Sequence, residues 1–322
     1  MTTPNSAYNE LTAITFRGLR ATMTDEVSNR NAMYGIIAKK GNVKTQTGHE
    51  IAIPIDYPGT TTTSRVSGME PFSIAETDDF TNAELPWRKI ITAIALSGSK
   101  IRQNSGKAQV LSYVKSKVKH AIREHTNTLS QDFYSDGVTY SNQIGGIQLI
   151  LPTSANTYGG INGSTYSWWQ NAIQSAAAPL DGGSALTVGA TTFGRFLSGA
   201  FEAVKLGSEE PDLVVLSPDY WSFFEQSQQA LVRYSPQEGL AGFTSLKYRK
   251  AMVISDSTDA GISSSVGYGI NTDYFEFVTL PGANMDEGPE VQSINQDGAV
   301  RTILTEGNLA ASSRRRHFVL TA

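Results

Sequence analysis

Five carboxylates between residues 70 and 84 are the part of this sequence most suited to acid–base chemistry: Glu70, Glu76, Asp78, Asp79 and Glu84. A pair of carboxyl groups can hydrolyse a glycosidic bond. That reaction needs a walled cleft that fixes the distance between the two groups and shifts the pKa of one of them. The segment around these residues is rich in Thr and Ser and has no apolar pattern. We therefore do not expect an enzyme.

Metal-binding patterns are also weak in this chain. His120 and His125 fall in one predicted helix, but five residues of separation place them about 140° apart, so that helix cannot bring them to one metal ion. We interpret both as polar positions on a packed helix. The stretch 256–261 resembles a calcium loop, yet Ala260 stands where a ligand is needed, which favours a turn. The chain has no cysteine. We expect no metal and no cofactor.

A basic cluster and a pair of tryptophans are the remaining candidates for binding. Residues 314–316 are three arginines that could bind phosphate, but on a strand the middle side chain would point away from the other two. We therefore favour ion pairs with neighbouring groups. Trp168 and Trp169 could stack a ligand, although adjacent tryptophans more often anchor a loop on the core. The sequence contains no P-loop, G-x-G-x-x-G or G-x-S-x-G motif.

The elements that would position these residues predict an α+β domain. The clearest is a helix over 105–135, which Asn104 or Ser105 could cap. Its apolar residues recur at the helical period. At about 1.5 Å per residue it would be roughly 45 Å long. Further strands are predicted at 51–55, 89–98, 144–152, 211–218, 246–256, 274–281, 299–307 and 314–322, and further helices at 5–33, 165–176, 190–207 and 219–232.

About thirty residues separate the strands at 51–55 and 89–98. Unpatterned connections of that length are uncommon in compact domains and are usually functional or mobile. The segment is either a mobile surface loop or a long two-stranded arm that reaches away from the body of the protein.

The charges are distributed unevenly along the 322 residues. Residues 45–98 carry three Lys or Arg against seven Asp or Glu, whereas residues 99–135 carry seven against two. The formal net charge is −4, which is atypical of a nucleic-acid-binding protein. No stretch approaches the roughly 20 apolar residues of a membrane span, and the N-terminus has no export signal. We expect a protein that is made in a cytoplasm and does not enter a membrane.

Several phrases, in one order along most of the chain, resemble the major capsid proteins of tailed bacteriophages. They are KKGNVKT (39–45), ELPWRKIITAIALSGSKIRQNSGKAQVLSYVKSKVKHAI (84–122), LSQDFYSDG (129–137), IGGIQLIL (144–151), YGGINGSTYSWWQN (158–171) and QDGAVRTILTEGNLAASSRR (296–315). The resemblance implies the Hong Kong ninety-seven fold. Its parts would be an N-terminal arm (1–42), an extended β loop with flanking strands (43–98), a peripheral domain with a long spine helix (99–137 and 293–322) and an axial domain (138–292).

The same resemblance implies a shell subunit that assembles with itself into pentamers and hexamers of an icosahedral head. The head would enclose double-stranded DNA through weak, non-specific contacts. A separate scaffolding protein, a portal and a cement or decoration protein are the other partners implied. The chain would then be found in the virion, after assembly in the host bacterial cytoplasm. Some members of the family join the loop to a neighbour through a lysine. No lysine lies between Thr45 and Arg88, so we expect non-covalent contacts.

The segment charges suggest how one subunit meets the next. We expect the acidic residues Glu76, Asp78 and Asp79 to face basic residues of a neighbouring copy, since complementary charges fix the register of an interface. The basic candidates lie on one flank of the long helix or in the arm: Lys115, Lys119, Arg123, Arg17 and Arg20. Two alternatives remain open, which are an encapsulin-like nanocompartment shell protein and a secreted carbohydrate-active enzyme that uses the loop carboxylates.

Overall fold

The structure is a computed structural model, and it describes residues 32–56, 65–71, 80–99, 107–140, 142–229, 245–289, 291–292 and 297–322. The helices are α1 (Ala32–Lys39), α2 (Lys107–Phe133), α3 (Ile147–Ile150), α4 (Phe193–Val204) and α5 (Pro218–Gln229). The strands are β1 (Val43–Thr45), β2 (Glu50–Asp56), β3 (Phe80–Pro86), β4 (Arg88–Ser97), β5 (Thr157–Tyr158), β6 (Ile161–Asn162), β7 (Ala172–Ser175), β8 (Leu213–Leu216), β9 (Ser245–Tyr248), β10 (Ala251–Ser255), β11 (Val266–Ile270), β12 (Phe275–Thr279), β13 (Asp286–Glu287), β14 (Val291–Gln292), β15 (Gly298–Ala311) and β16 (Phe318–Thr321). The prediction of an α+β chain is confirmed.

The first sheet is built around the long strand β15. Strand β4 pairs with β15 in antiparallel register over ten residue pairs, from Arg88↔Gly307 to Ser97↔Gly298. Strands β12, β13 and β14 also pair antiparallel with β15, and β1 joins β12 in parallel. The strands predicted at 89–98 and 299–307 are thus confirmed, and the second extends further to Ala311 because its last residues pair with β12.

Helix α2 lies on this sheet. Its 27 residues give a rod of about 40 Å at about 1.5 Å per residue. Val114, Val118 and Ile122 are buried and pack with Ile94 of β4 and Ile303 of β15. The predicted helix is confirmed, because its apolar stripe has a sheet to bury against. The predicted caps at 104 and 105 lie outside the described residues.

A two-stranded ribbon forms the base of the long connection. β2 and β3 pair antiparallel over seven residue pairs, from Glu50↔Pro86 to Asp56↔Phe80. Alternate residues of β2 are buried, which places Ile51, Ile53 and Ile55 on the core face. The base of the predicted two-stranded arm is therefore present, whereas residues 57–64 and 72–79 lie outside the described residues.

The second sheet has the strand order β7-β16-β11-β8-β10-β9. β8 is buried at every position, as its continuous apolar run predicts. Helices α4 and α5 cover the sheet with an aromatic cluster that includes Phe193, Phe196 and Phe224, so the helices predicted at 190–207 and 219–232 are confirmed. Strand β16 lies in this sheet, among strands of the predicted axial segment. The domain boundaries themselves remain a prediction.

Two sequence predictions are wrong. The strand expected at 144–152 is the single helical turn α3, where the amides of Leu149 and Ile150 donate to the Gly146 carbonyl. A short apolar run does not distinguish a strand from a buried helical turn. Gly146 decides the local structure, since a Cβ there would overlap the backbone at the end of α2. The helix expected at 165–176 is a 3₁₀ turn (Ser167–Trp169) followed by β7, because pairing with β16 overrides the local pattern.

Two further strands are divided differently from the prediction. Residues 246–256 form the hairpin β9–β10, which turns at Arg249 with a φ of 52°. Residues 314–322 begin with a 3₁₀ turn over Arg314–Arg316, and only Phe318–Thr321 is a strand. The helix predicted at 5–33 lies outside the described residues as far as residue 31.

Candidate assembly surfaces

One flank of α2 carries an exposed basic stripe, defined as Lys115, Lys119 and Arg123. Lys115, Lys119 and Arg123 are each four residues apart, so they follow one line along the helix. None of the three has an ion-pair partner among the described residues. Their predicted counterparts Glu76, Asp78 and Asp79, and the arm residues Arg17 and Arg20, lie outside the described residues. The pairing between the two sets stays a prediction.

The outer face of the β2–β3 ribbon is acidic. Glu50, Asp56 and Glu84 all point away from the core and are exposed. No basic residue of the two strands shares this face. The prediction from the sequence concerned the acids at 76–79 and did not include these three as a group. The alternation of apolar and polar residues in β2 predicts this acidic face, since the apolar residues point to the core and the acids between them must point outward.

Residues 65–71, which we call the tip, form an exposed turn within the long connection. Gly68 adopts a φ of 66°, and the amide of Ser67 donates to Glu70 Oε2 at 3.1 Å. The side chain of Met69 is fully exposed and that of Val66 is half-exposed. Arg65 and Glu70 flank this apolar pair with opposite charges. Isolated exposed apolar residues are ordinary, but a fully exposed methionine beside a valine on a turn suits a contact surface.

A cleft of about 400 Å³ lies beside the Asp56 end of β2, between the ribbon and the 3₁₀ turn at Arg314–Arg316. Trp168 and Leu206 supply apolar surface, and Leu206 is exposed. Asp56 and Arg315 also line the cleft, and neither has an ion-pair partner among the described residues. The cleft therefore combines apolar surface with one free carboxylate and one free guanidinium.

The arginines at 314–316 do not form one basic patch. Arg314 is buried, where its Nε donates to the Ile150 carbonyl at 2.7 Å and its guanidinium lies 5.3 Å from the Tyr158 ring centroid. Loss of solvation lowers the pKa of Arg314 to about 10. Arg316 lies 3.4 Å from Glu209, so the expected ion pairing is confirmed for this residue. Arg315 alone is exposed. The 3₁₀ turn, and not a strand, separates the three side chains.

The tryptophan pair has divided roles. Trp169 is buried, and its Nε1 donates to the Tyr158 carbonyl at 3.1 Å. The rings of Trp169 and Tyr158 stack with centroids 6.0 Å apart. The interpretation that a tryptophan anchors this loop on the core is confirmed for Trp169. Trp168 is only partly buried, and it lines the cleft.

Two of the histidines, His125 and His317, are buried and hydrogen-bonded inside the protein. His125 is buried between Thr92 and Thr305, whose hydroxyl oxygens lie 2.9 and 2.8 Å from its two ring nitrogens. Burial lowers the pKa of His125 to about 4. His317 is also buried, its Nδ1 accepts the Asn271 amide at 3.0 Å, and burial lowers its pKa to about 3. His120 is exposed, with Glu124 at 3.7 Å.

Candidate metal and catalytic groups do not come together in the described residues. Asp256, in the stretch resembling a calcium loop, accepts the Tyr134 hydroxyl at 2.6 Å, and Thr258–Ala260 is a 3₁₀ turn, as expected. No three His, Asp or Glu side chains of the described part approach each other as metal ligands would. Glu70 and Glu84 are both exposed. None of the described helices is long and apolar enough to span a lipid bilayer.

The comparisons with known proteins identify the fold. The sequence matches no protein-family model and no curated protein. The structure, however, is similar to the capsid of cyanophage A-1(L), with a TM-score of 0.65 over 89% of this chain and 91% of that one, at 16% identity. This chain has the Hong Kong ninety-seven capsid fold.

Two other solved structures share this fold at lower similarity. The capsid of a native GTA particle matches with a TM-score of 0.54 at 10% identity, over 88% of this chain and 89% of that one. The SrpI encapsulin of Synechococcus elongatus matches with a TM-score of 0.55 at 9% identity, over 88% and 86%. The expected fold class is thus confirmed, and α2 is its long helix.

Proposed function

We propose that this chain is the major capsid protein of a tailed phage, which assembles with itself into the pentamers and hexamers of an icosahedral head around double-stranded DNA. The observation that carries the proposal is the end-to-end match to a cyanophage capsid subunit, which covers about nine tenths of both chains. A match of that extent leaves little of the chain for an additional catalytic module. We propose accordingly that the protein is structural and not an enzyme.

Exposed features of the described residues support self-assembly. The basic stripe of α2, the acidic face of the ribbon and the tip contribute little to the core of one subunit. In a symmetric assembly, each copy would present these surfaces to a neighbour. We propose that residues 43–98 act as the extended loop, that α2 is the spine helix of the peripheral domain, and that the axial domain includes the second sheet with its last strand β16.

The other partners follow from the same proposal. Packaged DNA would touch the shell only weakly, since a net charge of −4 gives no strong electrostatic attraction for phosphates. A separate scaffolding protein and a portal would be needed to build and fill the head, and a cement or decoration protein would fit a shell without covalent links. The protein would be located in the virion, after assembly in the bacterial cytoplasm.

We propose that attraction between opposite charges sets the register of the contact between subunits. Glu76, Asp78 and Asp79 of one copy would face the basic stripe, or the arm residues Arg17 and Arg20, of the next. Replacing all three acids by lysine should block or misdirect assembly at low salt, where the Debye length exceeds about 10 Å. A matched variant reverses Glu225, Asp259 and Asp273, which are exposed elsewhere. It has the same net charge and should assemble. Normal shells from the first variant would refute this contact.

An encapsulin-like shell is the second candidate, because the SrpI encapsulin shares the fold. The cyanophage capsid has a higher TM-score than the encapsulin, which favours the function as a phage capsid protein. Nuclease-treated particles purified from phage-producing cells distinguish the two functions. Protected double-stranded DNA inside the particles is the expected result. Particles that contain a cargo enzyme and no DNA would support the encapsulin function instead.

A further inference from the structure

We infer that a small monovalent anion, of which chloride is the simplest, binds to the buried guanidinium of Arg314 in the gap beside Gly163. The inference goes beyond the proposed function, because the site lies within one subunit and needs no second copy. It starts from two observations on the described residues. One is a buried positive charge without a negative partner, and the other is the room that a glycine leaves next to that charge.

Arg314 is buried without a counter-ion. Its side chain is only 1% exposed, and no Asp or Glu of the described residues forms an ion pair with it. Its Nε donates to the Ile150 carbonyl at 2.7 Å and its Nη2 to Asn156 Oδ1 at 2.8 Å, whereas Nη1 has no partner among the described protein atoms. Both acceptors are neutral. Buried charges are normally paired, since an unpaired one is costly to desolvate, so Arg314 is a candidate for an external counter-ion.

Gly163 leaves room for an ion next to this nitrogen. Gly163 is buried, and the three heavy atoms nearest to a Cβ built there belong to Asn156 and Arg314. They are the Asn156 carbonyl oxygen at 3.1 Å, Arg314 Nη1 at 3.8 Å and the Asn156 backbone nitrogen at 4.0 Å. The Asn156 amide, like Nη1, donates no hydrogen bond to the described residues. Two hydrogen-bond donors therefore border the gap.

A small anion suits this gap better than a neutral molecule or a protein side chain. A water oxygen could accept from Nη1, but it would leave the positive charge uncompensated, whereas an anion supplies both the acceptor and the opposite charge. The Asn156 carbonyl, which already accepts the Gly163 amide at 2.9 Å, limits the ion to a small size. A carboxylate of another protein cannot reach Arg314, because its side chain is closed off from the surface. A free ion can enter when the adjacent loop opens locally, since residues 153–155 of that loop are exposed.

The dependence of unfolding on chloride tests this site. The wild-type subunit is unfolded in urea at pH 7 and fixed ionic strength, while chloride replaces gluconate, which is too large for the gap. An ion that binds only the folded chain should lower the unfolding equilibrium constant by up to about tenfold for each tenfold rise in chloride above its dissociation constant. In the variant Gly163→Ala the new Cβ occupies the gap, so this dependence should be lost. Gly189→Ala is the matched control, because its Cβ meets no atom within 4 Å, and it should keep the wild-type dependence.

A general salt effect gives a different result. The inference is overturned if all three proteins, or none of them, respond to chloride. If Gly163→Ala does not fold, bromide is the probe for the wild-type chain: crystals soaked in bromide should show anomalous scattering beside Arg314 Nη1. Density without an anomalous signal at that position would identify a water molecule and overturn the inference. None of these outcomes depends on whether the chain forms shells, so the proposed function is tested separately.

Discussion

The buried histidine between α2 and the first sheet makes stability depend on pH in a calculable way. His125 is nearly inaccessible to solvent, and burial lowers its pKa from 6.5 to about 4. Between these two values the unfolded chain binds a proton that the folded chain does not. The free energy of unfolding must therefore fall as the pH falls from about 6.5 to about 4, and it is fully retained at pH 7.

The magnitude follows from the same numbers. At pH 5 the unfolded His125 is protonated while the folded one stays neutral, which costs about 2 kcal/mol at about 1.36 kcal/mol per pH unit below 6.5. His317, whose pKa burial lowers to about 3, adds a similar loss over this range. We expect the unassembled wild-type subunit to lose about 4 kcal/mol of unfolding free energy between pH 7 and pH 5. The variant His125→Gln should lose only about half as much.

Urea unfolding at the two pH values measures this difference. The comparison uses the change with pH and not the absolute stability, so a fixed cost of losing the hydrogen bonds to Thr92 and Thr305 cancels. His120→Gln is the matched control, because its ring lies on the same helix but is exposed, and it should show the wild-type change. If wild type and His125→Gln lost the same free energy between pH 7 and pH 5, burial of His125 would not be the cause of the pH dependence.

Three further predictions concern packing and can be measured by urea unfolding at pH 7. Ile122→Ala removes a buried side chain between α2 and β4 and should cost about 2–4 kcal/mol, whereas the exposed Lys119→Ala should change stability by less than about 0.5 kcal/mol; equal effects would contradict the packing described. Trp169→Phe removes the hydrogen bond to the Tyr158 carbonyl and should cost about 1–3 kcal/mol; an unchanged midpoint would mean that this bond does not hold the loop. Gly146→Ala should prevent folding or cost more than about 3 kcal/mol, because its Cβ would overlap the Asp132 carbonyl and the Ser135 amide, whereas Gly189→Ala has open space and should be tolerated; comparable stability of the two variants would refute the close approach.

Elements with a strong local pattern could be predicted from the sequence. The stripe of Val114, Val118 and Ile122 specified both the helix α2 and the face that packs on the sheet. The alternation around Ile53 specified β2 in the same way. These patterns are local, so they indicate the secondary structure and its buried face without knowledge of which distant segments pack against it.

Other elements depend on distant partners and could not be predicted in this way. Residues 172–175 form a strand only because β16, about 150 residues later, pairs with them. α3 forms a turn because Gly146 lets its backbone approach the end of α2. Arg314 becomes buried because the Ile150 carbonyl and the Tyr158 ring receive it. The cleft likewise joins residues of the ribbon, α4 and the 314–316 turn, which no sequence spacing brings together.

Electron microscopy of the purified, expressed chain tests the central claim most directly. We expect closed shells, or rings of five or six subunits and tubes when assembly is incomplete, because a second copy would cover the ribbon, the tip and the basic stripe. A uniform population of 34.8 kDa monomers at concentrations where phage heads assemble would contradict the proposal that this chain builds a capsid.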